Sequence, residues 1–170
     1  MVTYVALLRA VNVGGTGKLP MADLRAMCAD AGFLRVRTYI ASGNVVFDSN
    51  ASPTNVKADL EARLLAHAGK PVGVIVRTAA QMAAVLKANP FSQAPPSRTV
   101  AIFLDEPPPS DALDHAVGAK DEQMRLGKRE IFVHYGGGIG KSKLKIPIAQ
   151  RGTARNMGTI AKLVEIADIG

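Results

Sequence analysis

The stretch Leu7-Leu8-Arg9-Ala10-Val11-Asn12-Val13-Gly14-Gly15-Thr16-Gly17-Lys18 combines the residue types that hold an anion. An arginine and an asparagine interrupt an apolar run, a glycine-rich turn follows, and Pro20 then opens a helix. Backbone N–H groups of such a turn, a helix N-terminus and nearby cations together suit a phosphate or a carboxylate. In this reading Gly14 and Gly15 supply backbone donors, and Arg9 and Asn12 supply side chains. Arginine in an apolar strand is costly unless paired. Arg9 therefore either meets a carboxylate, with Asp48 a candidate, or points at a ligand.

Three more groups join the candidate set. Ser42 and Asn44 flank Gly43 at a hairpin tip, a place that turn chemistry alone explains but that would also set both side chains near Arg9 and Asn12. Arg155-Asn156 precedes the last helix, where Asn156 suits an N-cap and Arg155 does not suit the positive helix end. That mismatch makes Arg155 a ligand candidate. Lys141 and Lys143 follow the glycine loop 136–140, which is the other possible anion nest.

Familiar nucleotide motifs fail on spacing. A P-loop ending at Gly17-Lys18 would need Gly at 12 and Ser or Thr at 19, where Asn12 and Leu19 stand. The run Gly136–Ser142 has Tyr135 in place of the first glycine, and Pro147 cuts short the helix that should follow. No catalytic constellation is visible. His67, His115 and His134 are scattered, no metal-ligand spacing occurs, and Ile40–Asn44 lacks the first glycine of a nucleophile elbow. No metal and no cofactor are expected, and the residues name no reaction.

Bulk properties narrow the class. With 170 residues, 48% hydrophobic and 21% charged, the chain is an ordinary globular protein of one domain or two small ones. No apolar run approaches a membrane span, Arg9 breaks the only N-terminal one, and the single cysteine, Cys28, fits a reducing compartment. A cytoplasmic protein without membrane association is the expectation. The charge is uneven: residues 120–163 hold ten basic and three acidic residues, a surplus equal to the net charge of +7 of the whole chain. Such a stripe suits phosphates or nucleic acid, or is simply a solvated face.

These residues sit on a legible series of elements. Val2–Val13 reads as a buried strand, and Met21, Leu24 and Met27 as one helix face closed by Gly32. Val36–Ile40 and Val45–Phe47 form a hairpin, Thr54 caps a helix carrying Val56, Leu60 and Leu64, and Pro71–Arg77 is a strand. Thr78-Ala79-Ala80-Gln81 is a capping box. After a proline-bearing linker come a strand at Thr99–Leu104, a short helix at Ser110–Val117, a hairpin of Glu122–Leu126 with Glu130–Tyr135, and a last helix at Thr159–Asp168. The pattern is α+β: a βαββαβ plait over residues 1–90, a linker at 91–97, and an approximate βαββα repeat over 98–170. Tandem ferredoxin-like plaits packed together follow from it.

The three motifs Leu8-Arg9-Ala10-Val11-Asn12-Val13-Gly14-Gly15 with Pro20–Arg25, Thr38–Phe47, and Thr153-Ala154-Arg155-Asn156 with Thr159 resemble the bacterial family called domain of unknown function 1697. The resemblance runs over essentially the whole chain and implies a tandem α/β plait of unassigned activity. One departure stands out: the family follows its Arg-Asn with Trp and Asn, whereas this chain has Met157 and Gly158.

Two functional readings and one structural reading follow. A cleft between the halves holds a small phosphate- or carboxylate-bearing ligand, gripped by Arg9, Asn12, Ser42, Asn44, Arg155 and Asn156, with Gly14, Gly15, Lys141 and Lys143. Alternatively the 120–163 stripe binds nucleic acid, although Lys128–Tyr135 matches only half of an RNA-recognition octamer. In the third reading the chain is an interaction module without a ligand. Oligomeric state is open.

Overall fold

The computed structural model describes residues 1–11 and 18–168, so Asn12, Gly14 and Gly15 lie outside the described residues. Two four-stranded antiparallel sheets and four α-helices make up the described part, a mixed α+β arrangement. The chain divides into one unit of Met1–Met82 with Leu163–Gly170, and a second of Ala83–Lys162.

In the first unit β1 (Val2–Leu8), α1 (Met21–Asp30), β2 (Leu34–Thr38), β3 (Asn44–Ser49), α2 (Pro53–Ala68) and β4 (Val74–Thr78) build a sheet of order β2-β3-β1-β4. Strand side chains alternate between faces, and one face carries Tyr4, Ala6, Leu8, Val45, Phe47, Val74 and Val76. Leu24 and Cys28 of α1 and Val56, Leu60 and Leu64 of α2 close over it. Each of these larger apolar side chains contributes roughly 1.5–3 kcal/mol by leaving water. Phe33 stacks on Phe47 with ring centroids 4.3 Å apart. Helix α2 is closed at both ends: Ser52 Oγ accepts from Asn55 N at 3.2 Å, Pro53 fills the first turn, and Gly69 stops the helix at φ 74°. Ser52 therefore caps in place of the expected Thr54, because Pro53 is preorganised for the first helical position.

Strand β1 stops at Leu8, short of the expected Val13, because Ala10 takes a left-handed backbone (φ 53°) that no strand accommodates. Helix α2 protects the first residue of the edge strand β4. Lys57 Nζ donates to Val74 O at 2.6 Å, and Glu61 Oε2 accepts from Val74 N at 3.0 Å. Backbone groups that would otherwise invite another strand are thus occupied.

Helix α3 (Ala79–Lys87) begins at the capping box, with Thr78 N donating to Gln81 Oε1 at 2.9 Å and Gln81 N to Thr78 Oγ1 at 3.1 Å. In the second unit β5 (Thr99–Phe103), β6 (Glu122–Leu126), β7 (Glu130–Tyr135) and β8 (Thr153–Asn156) form a sheet of order β6-β7-β5-β8; α4 (Met157–Asp168) follows directly, and from Leu163 on it belongs to the first unit. Val100, Ile102, Leu104, Ile131, Val133 and Ile146 are the core of one face. The expected helix at 110–117 is only a 3-10 turn, Ala112–His115, after which Ala116 turns extended at ψ 138° and Val117 pairs with Lys145. Strand β8 has no counterpart among the expected elements; it pairs antiparallel with β5, Ala101 opposite Arg155.

Candidate functional site

The end of β1 and the loop after α2 meet at one cavity. Arg9 N donates to Gly73 O at 2.9 Å, which extends the β1–β4 pairing past the last residue of β1. Around this junction lies a cavity of about 600 Å³ lined by Arg9, Ala10, Val11, Lys18, Leu19, Leu64, His67, Ala68, Lys70, Pro71, Val72 and Gly73. Its floor is the buried side chains of Val11, Leu19 and Leu64. Lys18, His67 and Lys70 are exposed at its wall and Arg9 is half-buried. None of the described lining residues is acidic. Asp23 Oδ2 lies 3.8 Å from His67 Nε2 outside the lining, in reach of an ion pair when the imidazole is protonated. His67 sits in the last turn of α2, at its negative end.

Local backbone braces this wall. A Cβ on Gly73 would stand 3.0 Å from Arg9 Cδ, so the arginine stem rests on the bare glycine. Gly43 carries φ 90°, and a Cβ there would fall 2.6 Å from Val11 Cγ2 and 2.9 Å from Leu8 Cβ. Gly43 O also accepts from Leu8 N at 2.9 Å. The hairpin tip is thereby locked against the segment that carries Arg9. Asn44 is wholly buried, and its Nδ2 donates to Tyr39 O and to Ser42 Oγ, both at 2.9 Å. Ser42 and Asn44 hold the turn that supports the cavity, and neither lines it.

Asp48 is engaged away from Arg9. Arg35 Nε donates to its Oδ2 at 2.5 Å and Thr3 Oγ1 to its Oδ1 at 2.8 Å. The Arg35 guanidinium holds the carboxyl below its ordinary range, and the Thr3 bond adds to that. Burial pushes the Cys28 thiol up to about 12, so it is a neutral core side chain at physiological pH.

The remaining expected residues belong to the second unit. Lys141 and Lys143 line a cavity of about 310 Å³ with Lys120, but also with Asp121 and Glu122. The glycine loop curls around a carboxylate of its own chain, since a Cβ on Gly137 would lie 2.9 Å from Asp121 Oδ2. Glu122 accepts from Lys120 N at 2.8 Å and Ser142 Oγ at 3.2 Å, and the backbone bond keeps it ionised below its usual range. Two carboxylates at this loop weaken it as an anion nest. Arg155 is buried on β8, where its Nη1 donates to Thr153 Oγ1 at 2.7 Å and Ala154 O at 2.9 Å. Burial lowers its pKa to about 10, which leaves it charged at neutral pH. Asn156 Oδ1 accepts from Thr159 N at 2.8 Å, the N-cap of α4. Neither lines the Lys141 cavity.

Lys18, His67, Lys70 and Gly73 were not among the expected site residues. Lys70-Pro71 directly after the helix stop Gly69 was the available signal, yet only the β1–β4 pairing shows which loop faces Arg9. Among the described residues no group of three or more His, Cys, Asp or Glu is placed to hold a metal, and no helix is long and apolar enough to cross a membrane.

Comparison with known proteins agrees with this architecture. The sequence profile of the family described as "Protein of unknown function (DUF1697)" matches residues 1–132. The solved structure of a conserved bacterial protein from Streptococcus pneumoniae superposes with a TM-score of 0.81 at 28% identity, covering 98% of either chain. No curated protein matches significantly.

Proposed function

We propose that this chain, which belongs to the family of proteins of unknown function DUF1697, binds a small anionic ligand in the basic cavity beside β1. One observation carries the reading: Arg9, Lys18, His67 and Lys70 line a ligand-sized space whose described lining holds no carboxylate. Clefts lined by one sign of charge concentrate counter-ions of the other. The likeness in fold to tandem ferredoxin-like plaits is part of the same proposal, supported by the matching orders β2-β3-β1-β4 and β6-β7-β5-β8. We take 1–90 and 98–170 as the plaits, joined by 91–97, in a cytoplasmic protein.

Calorimetric titration with inorganic phosphate and with pyrophosphate tests the reading. Each removed cation is worth about 1 kcal/mol in a solvated site, so Arg9→Ala and Lys70→Ala should each weaken binding on the order of fivefold. Absence of saturable binding by every anion tried, or variants that bind like the parent, refutes it.

A second reading has one observation in its favour. Eight of the ten basic residues in 120–163 are exposed, namely Lys120, Arg125, Lys128, Lys141, Lys143, Lys145, Arg151 and Lys162. Fluorescence anisotropy with short RNA and DNA at low and moderate salt tests it; nucleic-acid binding would fall steeply with salt.

A further inference from the structure

We infer that the cavity beside β1 is built for an organic phosphate, a phosphomonoester bearing an apolar or aromatic body, in preference to an inorganic anion. The inference rests on the anion-binding reading above and names its ligand class.

Size is the first argument. A space of about 600 Å³ falls within the range that encloses whole small molecules. A bare phosphate would engage a few cations and leave the rest to water. Wall chemistry is the second. Ala10, Ala68, Pro71 and Val72 line the cavity beside the cations, above a floor of Val11, Leu19 and Leu64. These groups offer an inorganic ion nothing, but they suit a ring or short chain that must leave water. Charge is the third. Arg9, Lys18 and Lys70 bring cationic side chains and His67 an imidazole, whose Nε2 lies 3.8 Å from Asp23 Oδ2. Three cationic side chains match a phosphate dianion better than a single carboxylate.

The wall also has the order such a site needs. Ala10 is held in a left-handed backbone between Arg9 and Val11, a strained conformation for a residue with a side chain. The Arg9 stem lies on Gly73 and Val11 lies against Gly43, so both flanks of Ala10 are fixed. A phosphomonoester would set its dianion among Arg9, Lys18 and Lys70 and its organic body along Ala68, Pro71 and Val72. No bond is made or broken; the assignment is of binding.

Calorimetry with phenyl phosphate, inorganic phosphate and phenol tests it on the full chain. Phenyl phosphate should bind on the order of tenfold tighter than inorganic phosphate, the ring contact being worth that much through buried apolar area. Phenol should give no saturable binding. Val72→Ser should narrow the ratio between the two anions, whereas Arg9→Ala should weaken both alike. Ala68→Glu, at an exposed position that does not endanger folding, should weaken both through its charge. Equal affinities for the two anions would overturn this inference and leave the anion site standing. Phenol binding as well as phenyl phosphate would also overturn it. Failure of every anion to bind would remove the proposed function itself.

Discussion

Replacing Gly43 with alanine places a methyl group where two buried side chains already stand. The added Cβ would fall 2.6 Å from Val11 Cγ2 and 2.9 Å from Leu8 Cβ, both inside van der Waals contact. Leu8 is fully buried and its N–H is bonded to Gly43 O, so it cannot retreat without opening β1. Val11 is also buried, and a β-branched side chain has few rotamers to escape into. The backbone adds to this, because φ 90° is left-handed and costs an L-residue about 1–2 kcal/mol. Overpacking of a tight core costs about 1–3 kcal/mol more. Gly43→Ala should therefore lose roughly 2–5 kcal/mol, a large share of the 5–15 kcal/mol typical of a folded protein. Gly69→Ala is the internal control: its φ is 74° and its Cβ would meet nothing within 4 Å, so only the conformational cost applies. Urea unfolding followed by far-ultraviolet circular dichroism measures both. Agreement of the two variants within about 0.5 kcal/mol, the usual noise of such differences, would show that the hairpin tip does not brace the Leu8–Val11 segment.

Other consequences concern separate parts of the molecule. Asp48 has its carboxyl depressed by Arg35, so it binds its proton less readily folded than unfolded; the stability it supplies is complete above the ordinary carboxylate pKa and is lost as pH falls through the depressed one. Asp48→Asn should flatten the acid limb of stability against pH below about pH 4, and an unchanged limb would contradict the pairing. Ser52→Ala should cost about 1 kcal/mol in urea unfolding while Thr54→Ala costs a few tenths at most, the reverse order placing the cap at Thr54. Cys28 should stay unmodified by a thiol reagent under native conditions and react on unfolding, since it is buried and its pKa is about 12; rapid native labelling would refute that. Gly73→Ala should leave stability nearly unchanged but lower anion affinity by displacing Arg9, whose Cδ the added Cβ would meet at 3.0 Å, and unchanged titration curves would detach Arg9 from the site.

Much of the fold was legible because local signals agreed with the tertiary packing. Val56, Leu60 and Leu64 at spacing four did form the buried face of α2, and Gly69 did stop it in a left-handed conformation. The Thr78–Gln81 box and the β6–β7 hairpin appeared where turn and cap chemistry placed them. Strand β8 escaped because Thr153-Ala154-Arg155-Asn156 has no apolar alternation; its pairing with β5 alone makes it a strand. The short helix at 112–115 lost its extent to the prolines before it and to Ala116 and Val117 after it, where the backbone turns extended and Val117 pairs with Lys145. At the site, Arg9 could be picked out as an arginine inside an apolar run, but its neighbours could not. His67 ends α2 and Lys70 follows it in sequence, and only the bond from Arg9 N to Gly73 O brings this stretch alongside β1. Asn44 misled for a physical reason: a buried amide needs partners, and the hairpin supplied them from Tyr39 and Ser42.

Amide chemical-shift mapping with phenyl phosphate examines the occupied surface without presupposing an activity. Saturable shifts should gather at Arg9, Ala10, Ala68, Lys70, Val72 and Gly73, and should vanish in Arg9→Ala/Lys70→Ala. Shifts confined to residues 120–162, or none at all, would contradict the assignment of this cavity as the site.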